Sequence, residues 1–119
     1  MTIGAKQMKH GAWYNIFLPQ QYNDGSPIEI EKFRTIQKEL AQHFNGVTEF
    51  ATPLFPMQGS WMGFGFLQTE NISIYSVYAE NINDAREFLD VAAERWKSKE
   101  CLDQQALLVT EMAIEVLLK

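Results

Sequence analysis

Chemistry in this chain has to be sought among few groups: two histidines, His10 and His43, and one cysteine, Cys101. A transition-metal site needs three or four His, Cys or carboxylate ligands converging from suitable spacings. Neither histidine has such a motif around it, so no metal site is expected. His43 falls where a helix should end, and there a cation meets the negative end of the helix dipole. That gives it a structural reason to be present. His10 sits near the start of the chain and joins a site only if that segment folds back. Lys97 and Lys99 shortly precede Cys101 and could lower its pKa, but no base accompanies it, and the inert, packed reading is preferred. Ser60, in Gly59-Ser60-Trp61, lacks the Gly-x-Ser-x-Gly spacing of a nucleophile elbow.

Paired acids fare no better. Glu111 and Glu115 stand four positions apart in a segment that reads as a strand, about 13 Å at the usual rise per residue. One proton cannot be shared over that distance. Gly59, Gly63 and Gly65 are not followed by Lys-Ser or Lys-Thr and open no helix, so they do not form a phosphate loop. Their expected role is close backbone approach beneath Trp61, Phe64 and Phe66. No catalytic residue and no cofactor is expected on these grounds.

The aromatic residues resist a bland reading. In the first apolar run Trp13, Asn15 and Phe17 share one strand face, and Tyr14, Ile16 and Leu18 share the other. We assign the second set to the core, which leaves Trp13, Asn15 and Phe17 on an open face. A one-residue slip would invert that assignment. Tyr75, Val77, Met112 and Ile114 are further candidates for the open face. The residues expected to touch a ligand or an interface are Trp13, Asn15 and Phe17, then Trp61, Phe64 and Phe66, with Tyr75 and Met112. An apolar patch of that size needs covering.

The elements that must position these groups follow from local pattern. Trp13 to Leu18 is aromatic and β-branched, stopped by Pro19: a strand. Ser26-Pro27-Ile28-Glu29 reads as a helix start, with Ser26 as cap, Pro27 in the first position and Glu29 closing a capping box. Ile30, Phe33, Ile36, Leu40 and Phe44 then form one stripe at helical spacing, and Asn45-Gly46 ends it. Val47 to Thr52 is a second strand, stopped by Pro53 and Pro56. The glycine-aromatic stretch from Gln58 to Leu67 suggests a twisted or bulged hairpin, and Ile72 to Glu80 another strand. Asn81 or Asn83 caps a second helix with the stripe Ala85, Phe88, Leu89, Ala92 and Trp96. A last strand runs from Ala106 towards Lys119.

Strand, helix, strand, strand, helix, strand is the order of two β-α-β halves. With right-handed crossovers it gives an α+β, ferredoxin-like sandwich: a four-stranded antiparallel sheet, both helices on one face, plus the hairpin extension. Several stretches carry a resemblance: Tyr22-Asn23-Asp24-Gly25-Ser26-Pro27, Phe44-Asn45-Gly46-Val47-Thr48, the Gly59-x-Trp61 element, and Gln104-Gln105-Ala106-Leu107-Leu108-Val109-Thr110. In these the chain resembles a bacterial family of small ferredoxin-like domains of unknown function. Those motifs are turns, caps and packing aromatics, so the resemblance implies the fold and lends no catalytic residue.

Composition bounds the function. The 119 residues, 46% of them hydrophobic and 21% charged, suit one domain with a sizeable core, expected over residues 12–119 behind a loose arm at 1–11. A lone cysteine fits a reducing cytoplasm. The net charge of −5 opposes nucleic acid and anionic lipid alike, and no apolar run approaches membrane-spanning length. The first reading is therefore a cytoplasmic module that self-associates, as a homodimer, or binds a small apolar ligand through the open sheet face. The alternative is an enzyme of the dimeric α+β barrel kind, acting on a small organic substrate between two such sheets. Single-stranded RNA stacked on sheet aromatics is a distant third, since the strand Asn71 to Glu80 has no Lys or Arg.

Overall fold

The computed structural model describes residues 8–117. In chain order the elements are β1 (Met8–Pro19), α1 (Ile30–Phe44), β2 (Thr48–Ala51), β3 (Met57–Gly63), β4 (Phe66–Ala79), α2 (Ile82–Lys97) and β5 (Leu108–Leu117). One antiparallel sheet holds the strands in the order β2-β4-β1-β5, with β3 also paired to β4. The α+β class, the antiparallel sheet and the two helices are as expected.

The sheet has five strands, not four. β2 and β3 lie in series along the same edge of β4, opposite Ile74 to Ser76 and Phe66 to Ile72 respectively. Pro53 and Pro56 explain the break: neither can donate to a ladder, and Thr52 and Phe55 instead close a turn on each other's backbone. β4 is longer than expected, beginning at Phe66 rather than Ile72. β1 likewise starts at Met8, because Met8 to Gly11 pair with Ile114 to Leu117. Residues 8–11 are thus strand rather than loose arm, and residues 1–7 of the expected arm lie outside the described residues.

α1 begins later than its cap motif implies. Glu29 holds the N-cap position without a side-chain cap, and Ile30 is the first helical residue. Ser26 is occupied elsewhere: its backbone N–H and its hydroxyl both donate to Asp24 Oδ1, at 2.9 and 2.5 Å. An Asx turn therefore competes with the cap and wins. Ile28 is drawn into the core on the approach, while Ile30, expected in the helix stripe, is exposed. At the other end Asn45 takes the left-handed conformation, φ 60°, that stops α1. α2 is capped as its sequence suggests, Asn81 accepting from the Asp84 N–H at 3.0 Å.

Ala12, Tyr14, Ile16 and Leu18 are buried against Phe33, Ile36 and Leu40 of α1 and Ala85, Leu89, Ala92 and Trp96 of α2. The parity assigned to β1 is thus correct, and both helices cover that face. Across the sheet Tyr14 pairs with Val77 and Ile16 with Tyr75, so Tyr75 and Val77 belong to the core as well. Tyr75, expected on the open face, is buried, and its hydroxyl donates to the Phe33 carbonyl at 3.4 Å. The reason is that β4 carries apolar groups on both faces through this stretch, which leaves its parity unreadable from pattern alone.

Three polar clasps tie the layers. Tyr14 donates to Glu111 Oε1 at 2.6 Å, and Arg86 of α2 grips the same carboxylate bidentately at 2.8 and 2.7 Å. The Arg86 and Tyr14 hydrogen bonds hold the Glu111 carboxyl down at about 2. Desolvation by burial, followed by the Glu111 bond, pushes the Tyr14 phenol up to about 12. Lys32 donates to the Cys101 carbonyl and the Tyr22 hydroxyl, both at 2.6 Å, pinning α1 to the loop after α2. His43 bonds Asp84 at 2.9 Å and stacks on Phe88 with ring centroids 3.8 Å apart, joining the C-terminus of α1 to the N-terminus of α2.

Candidate functional site

The face away from the helices is built in rows, because each register pairs residues straight across the strands. Trp13 lies between Tyr78 and Met112, Asn15 between Ser76 and Thr110, and Phe17 between Ile74 and Leu108. β2 extends the middle row by setting Thr48 opposite Ser76. A polar row, Thr48, Ser76, Asn15 and Thr110, therefore runs between two apolar rows. Ser76 Oγ donates to the side-chain Oδ1 of Asn15 within it. The ring of Phe50 stands beside Trp13, centroids 5.9 Å apart.

At the Pro19 end this face meets the base of the β3–β4 hairpin and forms a trough of about 580 Å³. Phe17, Pro19, Trp61, Glu70, Ile72 and Leu108 line it. Pairing of Gly59 with Glu70 and of Met57 with Ile72 carries the open face of β4 onto β3 without a shift of register. Gly59 presents no side chain to the trough; a Cβ there would meet only the Ile72 methyls, at an ordinary 3.8 Å.

Glu70 is the group the sequence reading missed. Its side chain is half-buried among apolar neighbours, and it makes no hydrogen bond or ion pair with the described residues. Burial pushes its carboxyl above the ordinary value of 4.5. A partly desolvated carboxylate without a partner among the described residues is poised to exchange a proton or to hold a cation. Its only sequence signal is one acid between the aromatic hairpin and the apolar part of β4.

The expected site residues divide by location. Trp13, Asn15, Phe17 and Met112 share the open face, and Trp61 and Phe66 continue it onto the hairpin. The Trp61 indole leans over Gly63, where a Cβ would come within 3.4 Å of Nε1. Phe64 stands at the hairpin tip and Tyr75 lies beneath the sheet, so neither reaches the trough. His10 pairs with Glu115 at 3.5 Å in an exposed position, and His43 belongs to the helix clasp. Cys101 is half-buried, and desolvation raises its thiol pKa against the weaker pull of Lys32. Lys97 turns instead to Glu94, at 2.8 Å. The lowered pKa that Lys97 and Lys99 would give is not what Cys101 has, and as a nucleophile it is weak.

Among the described residues no three His, Cys, Asp or Glu side chains gather as a metal site would require. None of the described helices is long and apolar enough to cross a membrane.

No family model and no curated protein matches the sequence. A solved structure of a phage SAM lyase in complex with S-methyl-5′-thioadenosine does match in fold. Its TM-score is 0.63 at 13% sequence identity, over 99% of this chain and 95% of that one. At that identity the likeness shows a shared fold.

Proposed function

We propose that this chain is a ferredoxin-like domain, its second strand broken in two, that binds and turns over a small organic substrate in the Glu70 trough. The observation that carries the reading is Glu70: an unpartnered, half-buried carboxyl beside Trp61 in an apolar hollow. A protein retains such a group against its desolvation cost when the group has work to do. The volume suits a ligand of nucleoside size, within the usual range for small-molecule pockets. The phage lyase supports an enzymatic use of this fold, since it is a lyase with a small nucleoside thioether bound. Between the enzyme reading and the plain interaction module, these two points favour the enzyme.

The trough also favours one charge type. A carboxylate beside an indole attracts an organic cation through both charge and the ring quadrupole. No Lys or Arg occurs between Lys38 and Arg86, so nothing basic in that stretch opposes it. A cytoplasmic setting follows for the same reason as before, the lone Cys101.

The test is calorimetric titration with SAM, whose sulfonium is cationic, and with the neutral S-methyl-5′-thioadenosine. SAM should bind more tightly, and Glu70→Gln should erase that preference while leaving the melting curve cooperative. Chromatography of the reaction mixture should show S-methyl-5′-thioadenosine formed from SAM by the parent and not by the variant. Gly59→Val, which packing tolerates, should weaken both ligands by filling the trough. The reading is overturned if neither compound binds at millimolar concentration, or if Glu70→Gln binds both as the parent does.

A further inference from the structure

The hairpin of β3 with the first half of β4 is an arm that its own subunit leaves bare. Trp61 and Phe66 lie on one broad face of it, Met62 and Leu67 on the other, and Phe64 at the tip. Their exposures are 48, 64, 69, 65 and 96%. β4 runs unbroken from the core into the arm, so the arm continues the plane of the sheet and cannot fold back over its own open face. The molecule is accordingly long, 53 × 29 × 25 Å, with a radius of gyration of 16.2 Å. A compact chain of this length would have about 13.5 Å.

Phe64 is set outward by the turn. Gly63 pairs with Phe66, leaving a two-residue loop in which Phe64 has φ 51° and Gly65 φ 84°. A tight hairpin turn with both central residues left-handed favours Asn-Gly. Phenylalanine is a costly choice there for the isolated chain.

We propose that the arm lies across the open sheet face of a second copy of this chain and that its Phe64 tip closes that copy's trough. The closing role rests on the trough reading above. Three observations choose the second copy. First, the receiving surface exists on the same chain: Phe50, Leu108 and Met112 are more than half exposed on the open face. Second, size matches. At roughly 100 Å² of exposed side chain apiece, the Phe64 tip, one broad face of the arm and these three residues supply about 600 Å² per copy in a reciprocal pair, close to the ~800 Å² each partner buries in a standard interface. The seven residues of β3 extend roughly 23 Å at the usual rise, enough to cross four strands spaced ~4.8 Å apart. Third, charge excludes the other takers of an apolar hairpin. From Glu39 to Ala85 the chain has acids and no Lys or Arg, which repels anionic lipid and nucleic acid. The trough is then a shared site, its floor from one subunit and its lid from another.

The test uses the full chain. Light scattering at micromolar concentration should give a multiple of the monomer mass. Phe64→Asn installs the preferred Asn-Gly turn, so the variant should melt no lower as a monomer, yet associate at least tenfold more weakly. For placement, a Phe64→Cys chain and a Leu108→Cys chain, both carrying Cys101→Ser, are mixed and oxidised. A cross-linked pair of unlike chains is expected, and SAM binding to the parent should weaken with Phe64→Asn. A parent that stays monomeric throughout, or a Phe64→Asn variant that associates unchanged, overturns the arm. Binding of the parent to anionic vesicles does so too. An oligomer without the 64–108 cross-link overturns the lid. The mass, melting and cross-link readouts need no ligand, so failure of SAM to bind the parent would count against the trough alone.

Discussion

Glu70→Gln should make the protein more stable at neutral pH, and the expected gain follows from the geometry of the trough. Glu70 loses part of its hydration in the fold and receives no hydrogen bond or cation in return from the described residues. Protein mutational data place the cost of burying an uncompensated polar group at ~1–3 kcal/mol. Glutamine keeps a neutral polar group in the same place, so the substitution relieves only the extra cost of the charge, about 1 kcal/mol for a partly buried carboxylate. For a chain of this length that is a rise in melting temperature of roughly 4 °C. The sign follows from linkage. Burial raises the folded pKa above the ordinary 4.5, so the folded state binds the proton more tightly than the unfolded state. That stabilisation is complete below the unfolded value and is lost as pH rises through the folded one. The glutamine variant cannot ionise, so it escapes the loss and should outmelt the parent at neutral pH.

The control lies in acid. A full unit below 4.5 the parent carries Glu70 protonated, and the two melting curves should converge. Other acid-sensitive groups act equally on both proteins and drop out of the difference. The assay is thermal unfolding by circular dichroism at the two pH values, with SAM titration at neutral pH alongside. A variant that gains stability and loses ligand is the signature of a residue kept for function. A variant that melts below its parent at neutral pH would refute the reasoning, since Glu70 would then be a partnered, structural carboxylate.

Three further outcomes test the framework around the site. Gly11→Ala would place a Cβ 2.3 Å from the Ala79 carbonyl oxygen and 2.7 Å from the Tyr78 ring. It should cost about 3 kcal/mol, measured by urea unfolding, and removal of the Tyr78 ring should not rescue it, because the carbonyl clash remains. Leu40→Ala, at a fully buried position between helix and sheet, should cost ~2–5 kcal/mol in the same assay without changing the mass in solution. Glu111 is held at about 2 against an ordinary 4.5, so its contribution is present above 4.5 and lost as pH falls towards 2. Glu111→Gln should flatten that acid limb of the melting-temperature profile and leave ligand affinity at neutral pH unchanged.

The helix face was legible in the sequence because a helix must answer to one periodicity. Phe33, Ile36 and Leu40, then Ala85, Leu89, Ala92 and Trp96, recur at three and four, and each is buried. β1 was legible from Ala12 onward, since Pro19 bounded it and the small Ala12 continues the Tyr14, Ile16, Leu18 set, but its first residues, Met8 to Gly11, were not. β4 was not. Ile72, Ile74, Tyr75 and Val77 offer apolar groups on both faces, and only the pairing of Tyr75 with Ile16 fixes which way it points. The helix start failed for another local reason, Asp24 capturing Ser26 before it could cap.

That Glu70 escaped notice has a physical cause in the length of β4. From Ser73 to Val77 the strand is buried, and each residue answers to packing against helix or neighbouring strand. From Phe66 to Ile72 the same strand has left the shelter of both helices, and its only pairing partner through most of that span is β3. Packing no longer selects the side chains there. An acid, two aromatics and two glycines can share one face without harming the core. A pattern search for the core reads the first half of such a strand as noise. In this chain the candidate chemistry lies in that half, at the point where the strand passes from a surface the fold must fill to one it leaves open.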